Sequence, residues 1–229
     1  LAAVKRKGWA LVYASKELRA DREVVLAAVA QCGCALQSAS DELRGDREVV
    51  LKAVTQRGNA LACASVELCA DRGVVLVAVA TGDGRALECA SEELRADREV
   101  VLAAVANNGW ALEFASEELR ADREVVLAVV ANNGWALEYA SKELRADRGV
   151  VLAAVANNGW ALECASEELR ADPYIVNFAT NCTRPEKFWK LLTVRFFVII
   201  FVKKLQRRAE AGECRDFEKA WEADRGYLS

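Results

Sequence analysis

Side-chain catalysis needs a group that can trade protons near neutral pH, and this 229-residue chain contains no histidine. That removes Ser-His-Asp and Cys-His nucleophilic pairs, imidazole metal ligands and imidazole proton shuttles. Eight cysteines and recurring rows of acids and arginines remain. Cys63, Cys89 and Cys164 share one position of an internal repeat that elsewhere holds Tyr13, Ser38, Phe114 or Tyr139, so they read as small apolar substitutes. Cys32-Gly33-Cys34 is a single Cys-x-Cys with no partner pair, and no spacing matches a zinc knuckle. There is no glycine-rich phosphate loop or nucleophile elbow, and Ser15, Ser40 and Ser116 lie near acids without a base. The expectation is no catalytic residue, no metal site and no cofactor. Thiols with no disulfide pattern suit an intracellular, reducing compartment.

The charged rows need a different reading. Arginines recur beside an aspartate (Arg22, Arg47, Arg72, Arg98, Arg123, Arg148) and again near each unit's end (Arg19, Arg44, Arg95, Arg120, Arg145, Arg170). Two such rows resemble a one-unit-per-base RNA reader, but interleaved Asp and Glu rows would repel phosphates and can pair the arginines. The sequence therefore argues against a nucleic-acid partner. Trp9, Trp110, Trp135 and Trp160 share another position, held in other copies by Cys34, Asn59 and Arg85. A position that accepts Trp, Cys, Asn and Arg is not deep core. Two readings stay open: an aromatic strip that binds a protein partner, or indoles that cover the end of the neighbouring unit.

These rows exist because the chain repeats. The block from Asp97 reads DREVVLAAVANNGWALEFASEELRA, with copies from Asp21, Asp46, Asp71, Asp122 and Asp147. The period is 25 residues, with one extra residue near Thr81 to Arg85. Residues 1–172 carry six full units preceded by a partial one, and residues 173–229 hold a degenerate half-repeat from Asp172 and a C-terminal tail. Alanine supplies 42 residues, and the only prolines are Pro173 and Pro185, a composition suited to packed helices rather than strands. Each unit reads as two short helices. Aspartate caps the first, Val-Val-Leu-x-Ala-Val buries it, and glycine (Gly33, Gly109, Gly134, Gly159) suits a left-handed C-terminal position. The second carries Leu112, Ala115 and Leu119 on one face, and whether Ser116 breaks or bends it stays open. Small residues such as Ala111 and Ala115 permit close stacking. One unit cannot bury its own apolar face, so the fold class is all-α, an α-solenoid of tandem two-helix repeats.

The pattern D-x-x-V-V-L-x-A-V-x-x-N-G-x-A-L-x-x-A-S-x-E-L-R resembles a helical repeat catalogued as domain of unknown function 4116, over about residues 1–180. The resemblance implies no catalytic residue and no substrate, because that family has no assigned activity. It implies a source among algae, other protists or their associated bacteria.

The tail is different in kind. Residues 1–172 carry a net charge of -7 and residues 173–229 a net of +4. Pro185 suits a helix start, and Leu191 to Val202 is apolar apart from Thr193 and Arg195. That run is too short for the ~20 residues that span a bilayer. The expected basic, hydrophobic helix over residues 185–208 has three candidate roles: a cap on the solenoid, a membrane-surface helix, or a segment docked into a partner. Its contact residues would be Phe188, Trp189, Phe196, Phe197, Ile199, Ile200, Phe201, Lys203 and Lys204. Absence of methionine and a start at Leu1 inside a repeat suggest a fragment or processed product. The functional expectation is a non-catalytic scaffold that binds or braces a large multiprotein assembly. For an algal source, a membrane-bound plastid complex such as a photosystem is an example. The alternative is a free-standing adaptor or effector using the aromatic strip, and an enzyme ranks last.

Overall fold

A computed structural model describes residues 2–81 and 84–182. All of the elements among the described residues are helical. The sequence expectations for the tail, from Phe188 to Lys204, lie outside the described residues.

The unit that starts at Asp97 represents the others. Asp97 precedes a long helix, Arg98–Asn107, and its Oδ1 accepts the backbone N–H groups of Glu99 at 2.9 Å and Val100 at 3.1 Å. Those two donors have no partner within the helix itself, so the cap fixes where the helix begins. Val100, Val101, Ala104 and Val105 are buried, with Leu102 and Ala103 half-buried beside them. Asn108 ends the helix in an extended conformation, φ -146° and ψ 107°, while its N–H still reaches the Ala104 carbonyl at 3.0 Å.

A 3₁₀ helix follows at once, Gly109–Phe114, with Gly109, Ala111 and Leu112 buried. Ala115 and Ser116 then take extended conformations, and a last short helix runs Glu117–Arg120. The second helical half of each unit is thus divided in two, and serine is the divider. Its Oγ accepts the Leu119 N–H at 3.4 Å as an N-cap.

The glycines correct one expectation. Gly33, Gly109, Gly134 and Gly159 do not end the preceding helix in a left-handed conformation; each opens a right-handed 3₁₀ helix. The extended residue before the glycine performs the stop. Glycine is required by the neighbouring unit. A Cβ on Gly8, Gly33, Gly58 or Gly134 would lie 2.3, 2.4, 2.3 or 2.5 Å from the carbonyl oxygen of Ala28, Ala53, Ala78 or Ala154 in the next long helix.

Units stack long helix on long helix and 3₁₀ helix on 3₁₀ helix, and most 3₁₀ helices also pack against the next long helix. Two polar ladders run through the stack. In one, the serine N–H of each unit donates to the carbonyl that ends the previous short helix: Ser40 to Arg19, Ser65 to Arg44, Ser116 to Arg95 and Ser141 to Arg120, all at 2.9 Å. In the other, each unit-leading arginine reaches the next unit's capping aspartate: Arg22–Asp46 3.1 Å, Arg47–Asp71 2.9 Å, Arg72–Asp97 2.9 Å, Arg98–Asp122 3.0 Å, Arg123–Asp147 3.2 Å and Arg148–Asp172 2.8 Å.

The extra residue near Thr81 does not disturb the stack. The 3₁₀ segment there shortens to Gly84–Ala86, yet Ala86, Leu87 and Ala90 are buried like their counterparts. The half-repeat continues the array as well. Asp172 caps the helix Pro173–Cys182, which buries Ile175 and Ala179 against the preceding long and 3₁₀ helices. The compact unit holding the repeats runs to residue 183.

Two predictions follow from these junctions. Gly134→Ala forces a side chain into the Ala154 carbonyl and lowers stability by about 1–3 kcal/mol, whereas Gly45→Ala, whose nearest neighbour is 3.5 Å away, leaves it unchanged or slightly raised. Chemical denaturation of the two variants checks this. The Arg47 and Arg72 side chains, with the backbone caps, hold the carboxyls of Asp71 and Asp97 below the usual range. A folded value below the unfolded one stabilises the fold above the unfolded value, ~3.9, and the contribution disappears as pH falls through the folded value. The denaturation midpoint is therefore expected to be level from pH 7 to about 5 and to drop below about pH 4.

Candidate binding surface

With Gly109, Ala111 and Leu112 turned into the core and Phe114 half-buried against it, Trp110 and Glu113 face outward. A 3₁₀ helix has three residues per turn, so side chains at i and i+3 eclipse. Trp110 and Glu113 thus share one outer edge, as do Trp135 with Glu138 and Trp160 with Glu163. Trp110 is 45% exposed and Trp160 61%, Trp135 is half-buried, and the three glutamates are exposed. Trp9, in the first unit, is 53% exposed.

The indoles are held from below. Asn108 accepts the Trp110 backbone N–H at 3.1 Å, Asn133 that of Trp135 at 3.2 Å and Asn158 that of Trp160 at 3.0 Å. The first asparagine of the pair binds along the stack: Asn157 donates to the carbonyls of Ala131 at 3.0 Å and Asn132 at 3.2 Å, and Asn107 to that of Val79 at 3.3 Å. The Trp110 ring also meets Tyr139 of the next unit edge-on, with centroids 5.7 Å apart. Packing and exposure therefore coexist in this row: one edge of an indole covers a neighbour while much of the ring faces solvent.

Trp9 differs in its surroundings. Lys7 Nζ lies over its ring at 5.7 Å, and Tyr13 packs edge-on at 5.9 Å within the same unit. In the later units Asn108, Asn133 and Asn158 replace that lysine.

The other sequence candidates resolve as follows. The arginines beside the aspartates are engaged in the inter-unit ladder. The unit-ending arginines lie with Nε buried and without a hydrogen bond in Arg19, Arg44, Arg95, Arg120 and Arg145. Arg44 pairs with Asp41, Arg95 with Glu92 at 3.7 Å and Arg120 with Glu117 at 3.9 Å. Cys63, Cys89 and Cys164 are half-buried against the core. Burial pushes the Cys63 and Cys164 thiols up, which keeps them protonated near neutral pH. Among the described residues no three His, Cys, Asp or Glu side chains cluster as metal ligands.

Sequence reading missed the glutamates beside the tryptophans. The available signal was their spacing, Trp-x-x-Glu, which places the two side chains on one face of either an α-helix or a 3₁₀ helix.

The family model described as Domain of unknown function (DUF4116) matches residues 1–44, 21–69, 46–81, 71–120 and 122–170. The chain belongs to this family. The matches to 21–69, 71–120 and 122–170 each begin at a capping aspartate and end at the last residue of the following unit's short helix, so the DUF4116 model spans a pair of stacked units. No curated protein and no solved structure matches the chain.

Replacing Trp110, Trp135 and Trp160 together by alanine is expected to leave the DUF4116 array folded, with a loss of about 1–2 kcal/mol, chiefly from the Trp110–Tyr139 contact. Leu112→Ala alone, at a fully buried site, costs about 2–5 kcal/mol. Circular dichroism and denaturation midpoints compare the two.

Proposed function

We propose that this DUF4116 chain is a non-catalytic scaffold that binds and braces protein partners in a larger assembly. The observation that supports this best is the row of Trp110, Trp135 and Trp160 on three consecutive units, exposed at Trp110 and Trp160 and half-buried at Trp135. Aromatic side chains supply much of the energy at protein interfaces because they bury a large area at little cost in rotamer freedom. The stack beneath them holds that row in fixed register. An enzyme has the least support, since a unique active site needs a unique constellation and the array repeats one chemistry without histidine.

A narrower form of the proposal assigns the assembly to a membrane, such as a photosystem complex of an algal plastid. It is supported by the basic, apolar sequence over residues 185–208 and by the source that the family resemblance implies. No helix among the described residues is long and apolar enough to cross a membrane, so this form relies on the tail lying at the surface or in a partner.

The test is the size of the native protein in gently solubilised cells. Migration in a particle well above the chain's own 25.0 kDa, lost in the folded triple tryptophan variant, is the expected result. Migration as a monomer in both cases would overturn it.

A further inference from the structure

The tryptophan edge carries charge information as well as apolar area. Each of its three indoles has a carboxylate one 3₁₀ turn away, in the pairs Trp110/Glu113, Trp135/Glu138 and Trp160/Glu163. Trp160 and Glu163 line the same surface hollow, which Arg170 also borders, so the one carboxylate there is set against one guanidinium and the acidic excess of the track lies with the other two pairs. The negative field is felt locally: burial raises the Tyr139 phenol, and Glu113 and Glu138 raise it further. A ring face beside a carboxylate favours a cation twice, through the ring quadrupole and through direct attraction.

The first unit demonstrates what such an indole takes. Lys7 occupies the Trp9 ring at 5.7 Å, and the residue one turn on is Val12 rather than glutamate. Trp9 is therefore supplied from within the chain. In the last three units asparagine stands where Lys7 stands in the first, so that position supplies no cation to Trp110, Trp135 or Trp160. The Arg145 charge reaches Cys164 on the flank, so the acidic character belongs to the outer edge and not to the whole face.

Packed helices lie about 10 Å apart, so successive indole–carboxylate pairs recur at about that interval. A polyproline-II segment has three residues per turn and advances about 3.1 Å per residue, so every third side chain faces one side and three residues match one unit. We propose that this edge is a docking track for an extended basic segment of a partner protein, with Lys or Arg at about every third residue. The inference rests on the protein-binding reading above and adds the partner's chemistry.

The test uses the full chain and three labelled probe peptides: lysine at every third position between serine and threonine, the same composition with its lysines clustered, and the spaced peptide with glutamate for lysine. Anisotropy titrations at low salt are expected to rank the spaced lysine peptide first and to give no binding of the glutamate peptide. Binding should weaken with added salt, as exposed charge pairs are screened over ~8 Å at physiological ionic strength. The exposed triple variant Glu113→Gln, Glu138→Gln, Glu163→Gln, checked as folded by circular dichroism, should bind about tenfold more weakly, and the triple tryptophan variant not measurably. Equal binding of the clustered peptide, unchanged affinity in the glutamine variant, or no binding of any probe would overturn the basic track. If the native particle still depends on the three tryptophans in that case, the scaffold reading survives without it. If the particle shows no such dependence, the failure lies in the scaffold reading itself.

Discussion

From Asp46 to Asp172, each junction is spanned by an aspartate carboxylate that caps its own helix and binds the arginine of the unit before. One oxygen of Asp97 accepts the free N–H groups that begin its own long helix, and the other accepts Arg72 from the unit before. An exposed ion pair alone contributes about 0–1 kcal/mol, and an N-cap about 0.5–2 kcal/mol. Burial of a Val or Leu side chain contributes about 1.5–3 kcal/mol, and each long helix of the full units buries four apolar side chains, Val100, Val101, Ala104 and Val105 in this case. Apolar burial therefore supplies most of the stability, while the carboxylate fixes the register in which it occurs. A slip of one residue would lose the cap and the ion pair together.

That register permits the close approach at glycine. The long-helix carbonyl of one unit enters the space where a Cβ on the previous unit's first 3₁₀ residue would be, at 2.3–2.5 Å in four junctions. Contact this tight needs a backbone with nothing attached. The serine N–H to carbonyl ladder adds a second polar tie between successive units from Arg19–Ser40 to Arg145–Ser166. Units held at three points in this way have few internal freedoms, and their stability is mostly a sum over neighbouring pairs. The DUF4116 family model spans two units, in keeping with a fold whose smallest complete element is a junction.

What the sequence revealed divides along the same line. Interactions within a dozen residues were legible: the aspartate cap, the Val-Val-x-x-Ala-Val burial pattern and the 25-residue period. The role of Gly134 was not, because its decisive partner is Ala154, twenty residues on in another unit, and local rules read such a glycine as a helix terminator. Nor was the division at Ser116 settled, since Leu112, Ala115 and Leu119 fit one continuous helical face as well as two short pieces. The exposure of the tryptophan row could be inferred from the tolerance of its position, which accepts Cys34, Asn59 and Arg85. Its acidic partners were legible by the same kind of spacing and were overlooked, because Trp110 and Glu113, at i and i+3, share a face in an α-helix as well as in a 3₁₀ helix.

Stacking consumes the invariant positions, and what varies between units faces solvent. Gly, Ala and Leu recur at the inner positions of the 3₁₀ helices from the first unit to the last, whereas the outer pair changes from Trp9 with Val12, through Cys34 with Gln37, Asn59 with Ala62 and Arg85 with Glu88, to three successive Trp–Glu pairs. Packing cannot demand that last sequence, because the earlier units stack in the same geometry without it. The fold accepts Trp, Cys, Asn and Arg at the first outer position and Val, Gln, Ala and Glu at the second, so stacking alone does not fix this edge. The last three units also share Asn-Asn-Gly and most of their other residues, so the pair recurs with the whole unit, and the proposed basic segment would meet all three copies at once.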